Sequence, residues 1–92
     1  MRVIDDELPG AEFVAAGIRD LESGAETVEA LLVSIGAPRL RTLGFGVPTA
    51  VDEPEHRLYE RLAADGPDAA HSRYNALVRV LVSFERAAAC VA

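Results

Sequence analysis

The sequence predicts an all-α protein, a small four- to five-helix bundle built around a long C-terminal helix. Two observations predict it: the apolar residues recur at helical rather than alternating spacing, and Gly and Pro separate the periodic stretches. A third concerns size, because 92 residues that are 50% apolar provide material for one small core. Residues 1–92 are therefore expected to form a single helical domain.

The first two helices are predicted from their end signals. The first runs from about Pro9 to Glu22, carries its apolar residues on one side and ends at Gly24. Ser23 and Glu26 have the spacing of a capping box, so a second helix is expected to begin there and to stop at Gly36. The residues it should bury are Val28, Leu31, Leu32 and Ile35.

The middle of the chain is predicted to be shorter and less regular. Pro38 can start a short helical turn, which Gly44 closes, because proline is tolerated at the first helical position. Residues 45–51 are expected to form an irregular connection. Asp52 and Glu55 repeat the capping spacing and predict a further helix, which presents Leu58, Tyr59 and Leu62.

The last helix, from about Pro67 to Ala89, is predicted to be the longest and the central one. Its apolar residues cover about half of the helix circumference, which is more than one neighbouring helix can bury. Part of this surface is expected to meet a second copy across a twofold axis, giving a homodimer; the alternative is a monomeric bundle in which the three shorter helices cover it. The predicted protein-interface residues are Tyr74, Leu77, Leu81, Phe84, Glu85 and Ala88.

Glu85 lies inside the apolar arc of this helix rather than on its polar side. Burying an isolated carboxylate is costly, so the side chain is expected to form an ion pair; the alternatives are that it accepts several hydrogen bonds or is exposed to water near the helix end. The predicted cations are Arg73, Arg57 or Arg61.

Charge and composition exclude several classes of function. Nine Arg, no Lys and fifteen Asp and Glu give a net charge of −6, which opposes loose binding to nucleic acid or to an anionic membrane. No apolar run is long enough to span a membrane, and the acidic N-terminus lacks the basic start of a signal peptide. Cys90 is the single cysteine, in agreement with the cytoplasmic location that we expect.

Catalytic and metal-binding patterns are weak. The chain contains no G-x-S-x-G motif, no Gly-rich phosphate loop and no Cys-His arrangement. Glu53 and His56, like Asp68 and His71, have the Glu-x-x-His type of spacing found in di-metal bundles, but both acids lie at predicted helix starts, where capping explains them. We therefore expect no metal site, no cofactor and no enzymatic activity.

A helix-turn-helix within residues 25–44 is the main alternative. This segment is predicted to contain a helix, a turn with a glycine and a short second helix. Such a second helix would present Arg39, Arg41 and Thr42 to DNA.

A small helical enzyme is a further alternative. The segment VPTAVDEPEHRLYERLAADG resembles the connection and middle helix of the small all-helical chorismate mutases. That resemblance implies that Arg57, Arg61 and Arg73 converge on an anionic metabolite. The long uninterrupted first helix of the family has no counterpart here, because Gly24 and Pro38 break the corresponding stretch.

The preferred interpretation is a non-enzymatic protein–protein interaction module. Small acidic helical chains of this kind serve as regulators, inhibitors or accessory subunits, similar to antitoxins and immunity proteins. Phe45, in the sequence FGVP, is predicted to be an exposed apolar anchor, while Asp52 and Glu53 steer a basic partner protein.

Overall fold

The chain folds into four helices. A computed structural model describes residues 2–91, and it confirms the predicted all-helical class and the long C-terminal helix. Within these residues the one β-type contact is an isolated bridge between Arg2 and Phe45. The helices are α1 (Ala11–Ser23), α2 (Val28–Thr42), α3 (Pro54–Asp65) and α4 (Ala70–Cys90).

The N-terminus of α2 is capped by a different residue from the predicted one. Gly24 ends α1 in the left-handed conformation, with φ of 79°, as the sequence indicated. The cap of α2 is Thr27 rather than Ser23, since the Thr27 hydroxyl oxygen accepts a hydrogen bond from the Ala30 amide at 3.0 Å. The same hydroxyl donates to the Asp20 carboxylate, which ties this cap to α1.

The predicted break at Gly36 is absent. Helix α2 continues through Gly36 and Pro38 as far as Thr42. The short helical turn that was predicted to start at Pro38 is therefore the last part of α2. A Cβ atom at Gly36 would lie 2.8 Å from the Leu81 Cδ1 atom. The glycine therefore allows α4 to approach closely, and it does not end the helix.

Helix α2, and not α4, is the centre of the bundle. Eight of its fifteen residues are buried, compared with four of the twenty-one residues of α4. The prediction of a central C-terminal helix was wrong because it considered the apolar arc of α4 alone. A helix with apolar residues all round its circumference is buried on all sides, and α2 is the one that has them. Its fully buried leucines are Leu31, Leu32 and Leu40.

The connection from α2 to α3 is held to α2 by side-chain hydrogen bonds. The buried Ser34 hydroxyl donates to the Ala30 carbonyl and accepts from the Val51 amide at 3.1 Å. The Arg41 guanidinium donates to the carbonyl oxygens of Val47 and Pro48. The Ser34 bonds satisfy polar groups near the core, and the Arg41 bonds hold the next residues of the segment at the surface.

Helices α3 and α4 complete the bundle. Helix α3 begins at Pro54 behind Glu53, which has φ of 50° and makes no side-chain capping bond, so the predicted Asp52–Glu55 capping box does not form. Leu58 and Leu62 are its buried residues. Over residues 2–91, no helix is sufficiently long and apolar to cross a lipid bilayer.

Candidate protein-binding surface

The net charge is concentrated at one end of the sequence. Residues 1–29 contain eight Asp and Glu and two Arg, whereas residues 30–92 contain seven acids and seven Arg. The whole net charge of −6 therefore lies in the N-terminal segment, α1 and the first turn of α2. Asp5, Asp6, Glu7, Glu12 and Glu22 of this segment are exposed, so their carboxylates make its surface acidic.

The N-terminal strap, residues 2–10, is fixed to the bundle by Arg2. Its amide donates to the Gly44 carbonyl at 2.9 Å, and its guanidinium donates to the carbonyls of Leu43 and Ala88 at 3.1 and 2.8 Å. The guanidinium carbon also lies 4.8 Å from the centre of the Phe45 ring, a cation–π geometry. These contacts anchor the start of the strap, and Asp6 farther along it lines clefts together with residues of α1.

Phe13 is an exposed aromatic residue at the start of α1, with 36% of its surface accessible. It separates two clefts of about 220 and 240 Å³. Apolar and acidic side chains line these clefts together with Phe13. We call this the Phe13 surface, and it consists of Asp6, Leu8, Glu12, Phe13, Ala16, Glu29 and Val80.

Helix register explains why Phe13 is exposed. Ala11, Val14 and Gly17 form the buried stripe of α1, and Phe13 lies off this stripe. Gly17 brings α1 against the backbone of α2 at Glu29, so the adjacent carboxylate stands close to the aromatic ring. An aromatic anchor surrounded by carboxylates can bind an apolar side chain that is flanked by cations.

The predicted anchor Phe45 is not on the surface. It is 4% exposed, and its ring centre lies 5.4 Å from that of Phe84. The strap covers it through Arg2, a contact between residues far apart in the sequence. Phe45 is therefore a core residue, and the prediction of an exposed anchor in the FGVP loop was wrong.

Three of the six predicted interface residues are also core residues. Leu81, Phe84 and Ala88 are at most 3% exposed because the other helices and the strap cover them. Tyr74, Leu77 and Glu85 are partly buried, and the Tyr74 ring packs 5.9 Å from that of Tyr59. A second copy therefore cannot contact Leu81, Phe84 or Ala88 without unpacking the bundle.

Asp52 and Glu53 are exposed at the start of α3. Glu53 lines a polar cleft of about 510 Å³ together with His56, Glu60 and a cluster in which Glu26 pairs with Arg57 and Arg61. Among residues 2–91, no three His, Cys, Asp or Glu side chains are arranged to hold a metal ion.

The residues predicted to contact DNA are part of one continuous helix, α2. Arg39, Arg41 and Thr42 are exposed in the last turn of α2, and the turn that a helix-turn-helix requires is missing from residues 25–44. Arg41 is engaged with the following loop, and the Thr42 hydroxyl donates to the Pro38 carbonyl. The helix-turn-helix prediction was therefore wrong.

Glu85 does not form the predicted ion pair. Arg57 and Arg61 are paired with Glu26 instead, and no cation lies within 4.0 Å of the Glu85 carboxylate in the described part of the chain. Burial raises the pKa of the Glu85 carboxyl, and the Arg39 guanidinium partly offsets this effect. The folded protein therefore holds the proton on Glu85 more tightly than the unfolded chain does.

We expect Glu85→Gln to stabilise the protein slightly at pH 7, by on the order of 0.5 kcal/mol, because solvent screens a partly exposed group. The ordinary pKa of a Glu side chain is 4.5, and the pKa of Glu85 is raised in the folded protein. Glu85 therefore destabilises the fold increasingly as the pH rises from 4.5 through the folded-state pKa. Urea unfolding at pH 4 and pH 8 should therefore show a larger gain for the variant at pH 8. A loss of stability at pH 8 would instead mean that the carboxylate makes a favourable contact.

Comparison with known proteins identifies no relative. No family model, no curated protein and no solved structure matches the chain. Its function must therefore be argued from its own surface.

Sequence reasoning missed Phe13, although the sequence contained a signal. The stripe Val14, Ile18 and Leu21 defines the buried side of α1, and Phe13 falls beside Glu12 on the other side. A large aromatic residue on the polar side of an amphipathic helix is the pattern that indicates a binding anchor.

Proposed function

We propose that this protein is a non-enzymatic protein-binding module whose Phe13 surface binds a cationic region of another protein. It would act as a small regulator, inhibitor or accessory subunit, as antitoxins and immunity proteins do. The observation that carries this proposal is the exposed Phe13 ring between two clefts, in the part of the chain that holds the whole net charge.

The anchor and the carboxylates contribute differently to binding. An aromatic side chain at the centre of an interface typically accounts for about 2 kcal/mol or more, which is roughly a thirtyfold change in Kd. The surrounding acids Asp6, Glu12 and Glu29 favour fast association with a positively charged surface and disfavour anionic partners. Nucleic acid is therefore a poor candidate for this surface.

Site-specific photo-crosslinking tests the proposal in the cells that produce the protein. A photoreactive phenylalanine analogue at position 13 should capture a partner with a basic surface, which mass spectrometry then identifies. The matched control carries the analogue at Tyr59, an aromatic residue with 40% exposure on α3. Equal capture from both positions would contradict a specific Phe13 surface.

Once the partner is purified, Phe13→Ala should weaken its binding by tenfold to a hundredfold in calorimetry. Tyr59→Ala should change the Kd by less than about threefold, because it lies outside the surface. Raising the salt concentration from 0.05 to 0.5 M should slow association of the wild-type protein, since the carboxylates act at long range. If Phe13→Ala and Tyr59→Ala bind equally well, the proposed surface is wrong.

A further inference from the structure

Helix α4 carries a surface strip whose charge is opposite to that of the Phe13 surface. Val78, Arg79, Val82 and Arg86 follow one another at steps of one, three and four residues and therefore share one side of the helix. The valines are partly exposed and do not pack against the buried core cluster. Both arginines are exposed. We call these four residues the α4 strip.

The arginines of the α4 strip form no ion pair with the described residues, 2–91. The ion pairs formed among residues 2–91 involve Glu26 and Glu60, and none of them includes Arg79 or Arg86. Over Ala70–Cys90 the helix holds three Arg and one Glu, so it carries a net positive charge in an acidic protein. Apolar side chains flanked by free cations are the chemistry that the Phe13 surface fits.

We propose that a second copy of this chain docks its α4 strip on the Phe13 surface, so that copies associate head to tail. Val78 and Val82 would cover Phe13, while Arg79 and Arg86 would face the carboxylates around it. Val80 belongs to the Phe13 surface, and helical spacing places it on a different side of α4 from Val82. One molecule can therefore present both surfaces at once. This inference rests on the Phe13 surface of the proposed function and names one occupant for it.

Charge favours the head-to-tail arrangement over a twofold dimer. Two α4 strips packed on each other would bring four arginines together, with Glu85 as the one acid of each helix. Two Phe13 surfaces packed on each other would bring Asp6, Glu12 and Glu29 of both copies together. Each symmetric arrangement juxtaposes like charges, whereas the mixed one pairs opposite charges.

Ionic strength should have a characteristic effect on this association. The molecule measures 38 × 24 × 19 Å, and the Debye length is about 30 Å at 0.01 M salt and about 8 Å at 0.15 M. At low salt the net charges of two whole molecules repel each other. At 0.15 M this repulsion is screened, while the charges in contact still attract. Association should therefore be strongest near 0.15 M and should weaken again at 1 M.

Two complementary variants test the geometry by analytical ultracentrifugation. The first, Arg79→Gln with Val82→Ser and Arg86→Gln, removes the α4 strip and keeps the Phe13 surface. The second, Phe13→Ser with Glu12→Arg, removes the Phe13 surface and keeps the strip. The wild-type mass should rise with protein concentration in 0.15 M salt, and each variant alone should associate at least about tenfold more weakly. An equimolar mixture of the two should form a 1:1 dimer and nothing larger, because one intact interface remains.

The control is Arg73→Glu, which lies on α4 but outside the strip and lowers the net charge as much as the two Arg→Gln changes do. It should associate within about threefold of the wild-type protein. Circular dichroism of every variant checks that the helices are intact.

Three results would overturn the inference. A wild-type protein that stays monomeric to 1 mM would refute it, and capture of a foreign partner from position 13 would then still support the proposed function. If the wild-type protein associates but the mixture of the two variants forms no dimer, the copies associate through a symmetric contact and not head to tail. Capture of a foreign acidic protein by a crosslinker at position 82, without self-association, would assign the α4 strip to that protein.

Discussion

Gly17→Ala is expected to destabilise the protein by about 2 to 3 kcal/mol. Helix propensity alone predicts the opposite, a gain of about 1 kcal/mol, because Gly17 is in the middle of α1. The added Cβ would overlap the Glu29 carbonyl oxygen and the Val33 Cγ2 atom, so α1 and α2 would have to separate. A backbone carbonyl cannot turn away as the end of a flexible side chain can, and the steric term should therefore dominate.

Urea unfolding followed by circular dichroism measures this effect. Gly66→Ala is the matched control, since an added Cβ meets nothing within 4 Å and the φ of 175° is extended backbone that any residue adopts. The control should stay within about 0.5 kcal/mol of the wild-type protein. If Gly17→Ala stabilises the protein as propensity predicts, the close crossing of α1 and α2 does not exist.

The helical class could be predicted because it depends on local patterns. The ends of α1 at Gly24 and of α3 at Gly66 follow from residues next to the helix ends. The spacing of Leu77, Leu81 and Phe84 likewise predicts α4, because all three residues lie within that one helix. A single sequence records such signals directly.

The continuity of α2 could not be predicted, because long-range packing overrides the local signals. Gly36 and Pro38 are ordinary helix-ending residues when they are read by themselves. In the fold, Leu32 and Leu40 are both fully buried, and they keep their common side only if the helix continues through Gly36. The apolar surface buried on both sides of Pro38 outweighs the hydrogen bond that proline cannot donate.

The candidate surface depends on a different long-range contact. Residues 45–48, FGVP, are typical of an exposed loop, and the sequence holds no local sign that Arg2 returns to cover Phe45. Once the strap covers Phe45, the aromatic anchor left exposed at the acidic end of the chain is Phe13. The burial of Phe45 therefore could not be predicted from the sequence, whereas the position of Phe13 on the polar side of α1 could be.

Phe84→Ala is expected to cost about 3 to 5 kcal/mol of stability. Phe84 is fully buried, packs 5.4 Å from Phe45 between ring centres, and lies against Gly10, so its loss leaves a cavity where α4, the strap and the loop after α2 meet. The total stability of a chain of this size is about 0.05 to 0.15 kcal/mol per residue, so this one cavity removes a large fraction of it. Val91→Ala, at a residue with 62% exposure, is the surface control and should have little effect.

The concentration dependence of this loss separates the two roles considered for Phe84. A residue of a dimer interface would lower the midpoint of thermal unfolding mainly by dissociating the dimer, so the loss would vary with protein concentration. A residue buried within one chain gives the same loss at every concentration. We expect the second behaviour, with Phe84→Leu losing about 1 to 1.5 kcal/mol because leucine fills most of the cavity. If the loss instead changes steeply between 5 and 500 μM protein, Phe84 is in contact with a second copy.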